Sequence, residues 1–550
     1  LVKTAMTRCI QCTRCVRFMT EVAGVEEMGA IGRGEDMEIV GTIERGLTSE
    51  LSANIVDLCP VGALTAKPIA FHARPWELAK TESVDVNDAL GSAIRVDSRG
   101  REVVRVLPRT NDAVNEEWIS DKTRHVVDGL KTQRLDRPYI RDNGRLRPAS
   151  WDEALKLVAS RMKAAGPAKI GALAGDLAGC EEMYALRDLF TRLGSASVDG
   201  RPSGARLDPA LGRDSYLFNS SIEGIEQADA LLIVGSNPRL ESPVLNARIR
   251  KRWRQGGFKV GVIGPRADLT YDAEMLGAGP ATLADVAEGR NAFAEVLRQA
   301  KRPMLILGSG AFARDDGRAV LALAARVAQR TGMLKPAEGW NGFSVLHTSA
   351  AQVGALDLGL VPGNGGADAA AMLTGALDVV YLLGVDEAPL SRLGSTFVVY
   401  QGTHGDAGAH RADVILPGAA YTEKSATYVN TEGRPQVTAR AVFPPGEAKE
   451  DWAVLRALSA ECGQVLPYDS LGQLRAAMYK AAPHLAAIGA AKAAGTSGVE
   501  RLAALPDAAG NAPFQPAITD FYLTNPIARA SATMAAMSKM KSGSLPLAAE

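Results

Sequence analysis

Between about residues 150 and 490 the chain repeats one theme: a short apolar run closed by Gly or Asn, then an amphipathic stretch. The runs Ala230–Val234, 260–263, 304–307, Val379–Leu383 and 397–400 are continuous rather than alternating, as strands buried on both faces are. Such runs set between helices predict parallel strands in doubly wound α/β layers. Two of them are alike, Asp229-Ala-Leu-Leu-Ile-Val-Gly-Ser-Asn237 and Asp378-Val-Val-Tyr-Leu-Leu-Gly-Val-Asp386, which predicts two related subdomains. Ser150, three residues before Glu153, fits a capping box opening the first helix of this region.

The earlier part reads differently. Residues 1–80 hold a cysteine cluster and Gly-rich turns (Gly29, Gly32, Gly34), ending near Pro68 and Pro75. Residues 81–136 form a small β-rich region, where 93–97 and 102–107 flank Ser98-Arg99-Gly100-Arg101 as a hairpin. The α/β region occupies 137–490. The stretch 491–550, rich in Ala, Gly and Ser, reads as a C-terminal tail lying on other surfaces.

Composition narrows the function. The 550 residues carry 62 Lys+Arg against 62 Asp+Glu, and that neutral balance argues against a nucleic-acid binder held by bulk electrostatics. No apolar run approaches the roughly 18 residues that span a bilayer; the most apolar, such as 319–327, contain charges. Any membrane association therefore runs through partners. The N-terminus shows no signal peptide. The chain opens on Leu1 rather than Met and reads as a piece of a longer one.

Six cysteines are too few to staple a chain this long. Cys9, Cys12 and Cys15 stand at two-residue gaps, and Cys59 follows 43 residues later, ahead of Pro60. Four soft thiolates suit a [4Fe–4S] cubane or a tetrahedral zinc. Zinc sites usually pair two Cys-x2-Cys knuckles; a triplet with a remote Cys-Pro is the ferredoxin arrangement. Arg8, Arg14 and Arg17 surround these ligands and read either as charges that favour a reduced, more negative cluster or as solvated surface or a subunit contact. Cys180 and Cys462 read as buried, inert thiols.

A second spacing is present without its thiols. Asp85-x2-Asp88-x3-Ser92, then Ser120 after 27 residues, has the spacing C-x2-C-x3-C-x27-C with each cysteine replaced; standing alone, it reads as accidental spacing. Hard oxygens do not hold an Fe–S cubane as thiolates do.

Several motifs carry a family resemblance. Met6-Thr7-Arg8-Cys9-Ile10-Gln11-Cys12-Thr13-Arg14-Cys15-Val16-Arg17-Phe18 and Leu58-Cys59-Pro60-Val61-Gly62-Ala63-Leu64-Thr65 closely resemble the large iron–sulfur subunit (75 kDa-type) of respiratory complex I, the proton-pumping NADH:quinone oxidoreductase. The run Asn115 to Arg124 matches the same family, as do Gly235-Ser236-Asn237-Pro238-Arg239, Ala412-Asp413-Val414-Ile415-Leu416-Pro417-Gly418 and Thr427-Tyr428-Val429-Asn430-Thr431-Glu432-Gly433-Arg434. The likeness runs to about residue 540. It implies a peripheral-arm electron carrier on the cytoplasmic side of a bacterial inner membrane, or the matrix side of a mitochondrial one. Its partners would be the FMN/NADH-binding subunit, the [2Fe–2S] subunit and the quinone-module iron–sulfur subunits. Cys9, Cys12, Cys15 and Cys59 would ligate one [4Fe–4S] cluster. The family's further [4Fe–4S] and [2Fe–2S] clusters belong to an upstream region that this sequence does not show. The resemblance extends to molybdopterin oxidoreductases, whose first [4Fe–4S] site has the spacing of Asp85, Asp88, Ser92 and Ser120, making 81–136 a degenerate domain without its cluster.

The α/β region offers weaker signals. Gly235-Ser236-Asn237 ends a strand where phosphate could bind, and Gly363-Asn364-Gly365-Gly366 is a turn. His404 and His410 read as surface or core residues, and the run Arg248 to Arg254 as a solvated or interfacial helix face. No nucleophile, base pair or metal triad emerges, and no molybdopterin is expected. The alternatives are an active molybdopterin oxidoreductase of formate dehydrogenase type and a zinc-stabilised scaffold.

Overall fold

A computed structural model of the chain describes residues 1–41, 46–491 and 495–542. Its centre is two parallel sheets. The first, seven-stranded, runs in the order Val198–Asp199, Ile170–Ala174, Val379–Leu383, Phe397–Gly402, Val414–Pro417, Tyr139–Asp142, Arg145–Pro148; only the last two strands are antiparallel. The second, five-stranded and wholly parallel, runs Glu274–Gly277, Lys259–Ile263, Ala230–Val234, Pro303–Gly308, Phe343–Leu346. The chain leaves the first sheet after Asp199, builds the second, and returns at Val379.

The matching runs occupy matching places. Ala230–Val234 sits between Lys259–Ile263 and Pro303–Gly308, and Val379–Leu383 between Ile170–Ala174 and Phe397–Gly402. Each is buried at all five positions, so their continuous apolar character follows from helices covering both faces.

Ser150 caps the helix Trp151–Ala165, its hydroxyl accepting from the Glu153 N–H at 3.2 Å. The reciprocal half of the box is absent, because Arg147 takes the Glu153 carboxylate at 2.6 Å. The hairpin forms as expected, Ala93–Arg99 against Glu102–Pro108, with Ala79–Val84 as a third strand. Residues 1–66 build a small unit from two antiparallel pairs, Val2–Thr4 with Leu64–Ala66 and Met28–Ile31 with Glu38–Gly41.

The C-terminal stretch is more ordered than its composition suggests. It contains the helices Ser497–Ala503, Pro526–Arg529 and Ala532–Lys541, which bury Val499, Leu502, Ile527, Met534 and Met537. Its apolar positions are few but fall where other regions need them, so local periodicity is the wrong signal here. Among the described residues no helix is long and apolar enough to cross a membrane.

Candidate metal centre

Cys9, Cys12, Cys15 and Cys59 all line one small pocket, together with Met6, Ile10, Ile39, Val61 and Leu64. The loop reaches this shape through two unusual residues. Gln11 (φ 51°) and Thr13 (φ 58°) both enter the left-handed region, where a side chain other than glycine's costs roughly 1–2 kcal/mol. Those two reversals, one in each gap, bring the successive cysteines onto the lining of one pocket. The helix Arg14–Arg17 then carries Cys15, and Ile55–Leu58 ends against Cys59.

The donor set fits thiolate ligands. The N–H of Gln11 points to Cys9 Sγ and that of Leu64 to Cys59 Sγ, each at 3.4 Å. Burial pushes the Cys15 thiol above its ordinary range, a cost that a bound cation reverses. Among the described residues no three His, Cys, Asp or Glu side chains converge closely enough to hold one metal ion; the four cysteines share the lining of one pocket.

The scaffold grips this loop from outside. Arg250, on the helix Pro243–Arg254, donates to the carbonyls of Thr20 (2.7 Å) and Glu21 (3.2 Å), at the end of the helical stretch that carries Cys15, and to that of Thr270. Arg254 reaches the Glu21 carboxylate at 3.2 Å. Gly24 (φ +75°) makes the approach feasible, since a Cβ there would lie 2.6 Å from Thr270 and 2.7 Å from the Arg250 guanidinium. Arg248 is buried, and Lys251 pairs with Glu116 and Glu226. The basic run therefore has two faces: Arg248 is buried and Arg250 clamps the ligand loop from inside, while Lys251 and Arg254 remain exposed to solvent. Sequence alone offers no sign of the clamp, because its acceptors are mostly backbone carbonyls far along the chain.

The degenerate positions also come together. Asp85, Asp88, Ser92 and Ser120 are all buried. Thr123 Oγ1 donates to Asp85 at 2.7 Å and lies 2.8 Å from Ser120 Oγ. Asn87 donates to Asp85 at 2.7 Å, and the Leu90 N–H to Asp88 at 2.9 Å. Buried Lys122 feels both carboxylates and donates to Thr524 at 2.8 Å. Desolvation raises Asp85, brings Asp88 up to about 7 and draws Lys122 down to about 8. Next to it, Asp121 accepts from Ser52 Oγ (2.6 Å) and the Ala53 N–H (2.8 Å), fastening this domain to the turn that leads to Cys59.

The phosphate-like turn is filled from within. Glu241, buried, accepts from Ser236 Oγ at 2.8 Å and the Asn237 N–H at 2.7 Å, and burial brings its carboxyl up to about 7. His404 is a core residue, its Nε2 2.8 Å from the Gly129 carbonyl and its pKa lowered by burial to about 4. Cys180 and Cys462 are buried.

Fold and thiol loop define an iron–sulfur protein built on a molybdopterin-oxidoreductase scaffold. Family models agree along the chain: NADH-quinone oxidoreductase subunit 3, ferredoxin-like domain, at 1–65; NADH-ubiquinone oxidoreductase NDSU1/NuoG-like, 4Fe-4S domain, at 78–128; molybdopterin oxidoreductase at 134–461; and the C-terminal region of the NuoG-type NADH-ubiquinone oxidoreductase subunit at 487–537. The chain is 49% identical over 98% of its length, and 72% of the relative's, to the mitochondrial NADH dehydrogenase [ubiquinone] iron-sulfur protein 1 of Solanum tuberosum. It is 44% identical to the NADH-ubiquinone oxidoreductase 75 kDa subunit of Reclinomonas americana, covering 98% of this chain and 80% of that one. It is 46% identical to the corresponding NADH-quinone oxidoreductase subunit of Rickettsia bellii (strain RML369-C), covering 97% and 76%. Among solved structures, acetylene hydratase from Pelobacter acetylenicus has a TM-score of 0.48 at 12% identity, covering 70% of this chain and 69% of that one. The chain belongs to the family of the large, 75 kDa-type iron–sulfur subunit of NADH:quinone oxidoreductase, complex I, and serves electron transfer in that oxidoreductase.

Proposed function

We propose that Cys9, Cys12, Cys15 and Cys59 hold one [4Fe–4S] cluster, through which electrons pass from the NADH/FMN module toward the quinone site. The observation that carries this reading is the convergence of all four thiols on one apolar pocket, with two backbone N–H groups directed at their sulfurs. When bound, such a cluster supplies one-electron storage with little movement. The chain's own part is to exclude water with Ile39 and Leu64, and to hold the ligand loop still through Arg250. Residues 1–80 then form the cluster domain, 81–136 the domain without a cluster, 137–490 a structural α/β body, and 491–550 a C-terminal segment that ties them together.

The finer setting follows the family. The partners are the FMN/NADH-binding subunit, the [2Fe–2S] subunit and the quinone-module iron–sulfur subunits, on the cytoplasmic or matrix side of the membrane. Further [4Fe–4S] and [2Fe–2S] clusters belong to the family's upstream region. No molybdopterin is expected in the α/β body: Glu241 already takes the donors of the phosphate-like turn. Metal analysis of the anaerobically purified protein tests the reading. About four irons and four sulfides per chain, without molybdenum, are expected. Stoichiometric molybdenum would point to an active molybdopterin oxidoreductase, and one zinc without iron to a structural site; either overturns it.

A further inference from the structure

Beyond the cluster pocket, the strap that leaves the cluster domain carries the most exposed aromatic side chains of the described residues. Phe71 is 78% and Trp76 80% exposed. Phe71 also sits at φ 69°, a strained conformation for a bulky residue, which the chain maintains while its ring stands in solvent. Lys3 lies 5.4 Å from the Phe71 ring and Arg74 6.0 Å from the Trp76 ring.

A pocket opens beside them, lined among others by Ile69, His72, Arg99, Glu102 and Lys131. The rim is basic. Lys3, Lys67, Arg74, Arg99, Arg101 and Lys131 are all exposed, against Glu77 and Glu102 as the exposed carboxylates of the same segments. Glu77 lies 3.6 Å from Arg99 and Glu102 2.9 Å from Lys131, leaving the other four cations in excess. A neutral protein has placed a local positive surplus around two solvent-facing aromatic rings. Aromatic and Arg side chains are what buried interface centres are made of.

We propose that Phe71, Trp76 and the surrounding basic rim dock an acidic segment of a partner subunit, its apolar side chains covering the rings and its carboxylates meeting Lys3, Lys67, Arg74 and Arg101. The proposal rests on the reading of this chain as a subunit of a larger complex. It assigns the strap a role in assembly that is separate from cluster binding. A second copy of this chain is a poorer occupant, since it would bring the same basic rim.

Two measurements on the native assembled complex test it. Hydroxyl-radical oxidation of Phe71 and Trp76 should fall at least about fivefold relative to the full chain freed of its partners. Carbodiimide cross-linking, which joins amines to carboxylates in contact, should couple Lys3 or Lys67 to Asp or Glu residues of one other subunit. Arg74→Glu combined with Arg101→Glu should lower that cross-link yield about tenfold, since like charges across an interface cost more than a kilocalorie. A chain that co-purifies with other subunits while Phe71 and Trp76 stay as reactive as in isolation overturns the surface alone. So does a cross-link that joins only two copies of this chain. A chain that co-purifies with no other subunit overturns the surface and the subunit reading together.

Discussion

Gln11 and Thr13 spend conformational energy to place neighbouring cysteines, so the loop's geometry and its thiols are separable in experiment. Cys12→Ser should remove one low-temperature EPR signal of the reduced protein; an unchanged spectrum refutes the ligand assignment. A second residue-scale prediction concerns the polar network of Asp85, Asp88 and Lys122, which places two carboxylates against one ammonium in a buried site. Asp88 is raised from 3.8 to about 7 by desolvation first and Asp85 second. The folded state therefore holds this proton more tightly than the unfolded chain does. That contribution to stability is present below about pH 4 and is lost as pH climbs through 7. Asp88→Asn, which keeps an oxygen for the Leu90 N–H, should raise the melting temperature at pH 8 and change it little at pH 4.5, a gain on the order of 1 kcal/mol. Lys122→Met should act oppositely near neutral pH, costing about 3 kcal/mol by leaving two buried acids without their counter-charge.

At the scale of elements, the basic helix Pro243–Arg254 joins the α/β body to the cluster domain. Arg250 binds Thr20 across 230 residues of sequence. Arg250→Ala should cost about 2–4 kcal/mol through three carbonyls that lose a charged donor. It should also broaden the EPR line and speed iron loss to a chelator, with Arg250→Lys intermediate. A line shape and chelation rate equal to the parent's would show that the clamp does not position the ligand loop. These contacts explain what is legible in the sequence. The thiol spacing can be read because Cys9, Cys12 and Cys15 are neighbours, and the parallel strands because burial on both faces leaves an unbroken apolar run. Arg250 and Glu241 cannot. An arginine that binds carbonyls looks like any surface arginine, and a carboxylate that fills a phosphate-like turn looks like a helix residue. The hairpin Ala93–Arg99 with Glu102–Pro108 is readable from its turn, whereas the antiparallel pair Tyr139–Asp142 with Arg145–Pro148, added to a parallel sheet, is not.

Across the whole molecule, the C-terminal segment acts as a tie. Arg529 pairs with Glu387 (2.9 Å) and Asp406 (2.6 Å), the Thr533 N–H donates to Asp128 at 2.9 Å, and Lys541 reaches Glu50. Thr524 and Asn525 close over the Asp85–Lys122 network through Lys122 and Asn87. A chain ending at residue 516 loses buried Phe521, Tyr522, Ile527, Met534 and Met537. It should melt at least about 5 °C lower, by calorimetry of the full-length and shortened proteins. Composition suggests a loose end here because it records how many apolar residues a segment has, not which cores lack them. The same network bears on how the protein matures. A domain closed by Asp, Ser, Thr and Lys side chains is finished when the polypeptide is finished. On the proposed reading of 81–136 as a domain without a cluster, that region needs no iron delivery, no scaffold protein and no protection from oxygen during biogenesis, and iron starvation should arrest the cluster loop while leaving its neighbour folded.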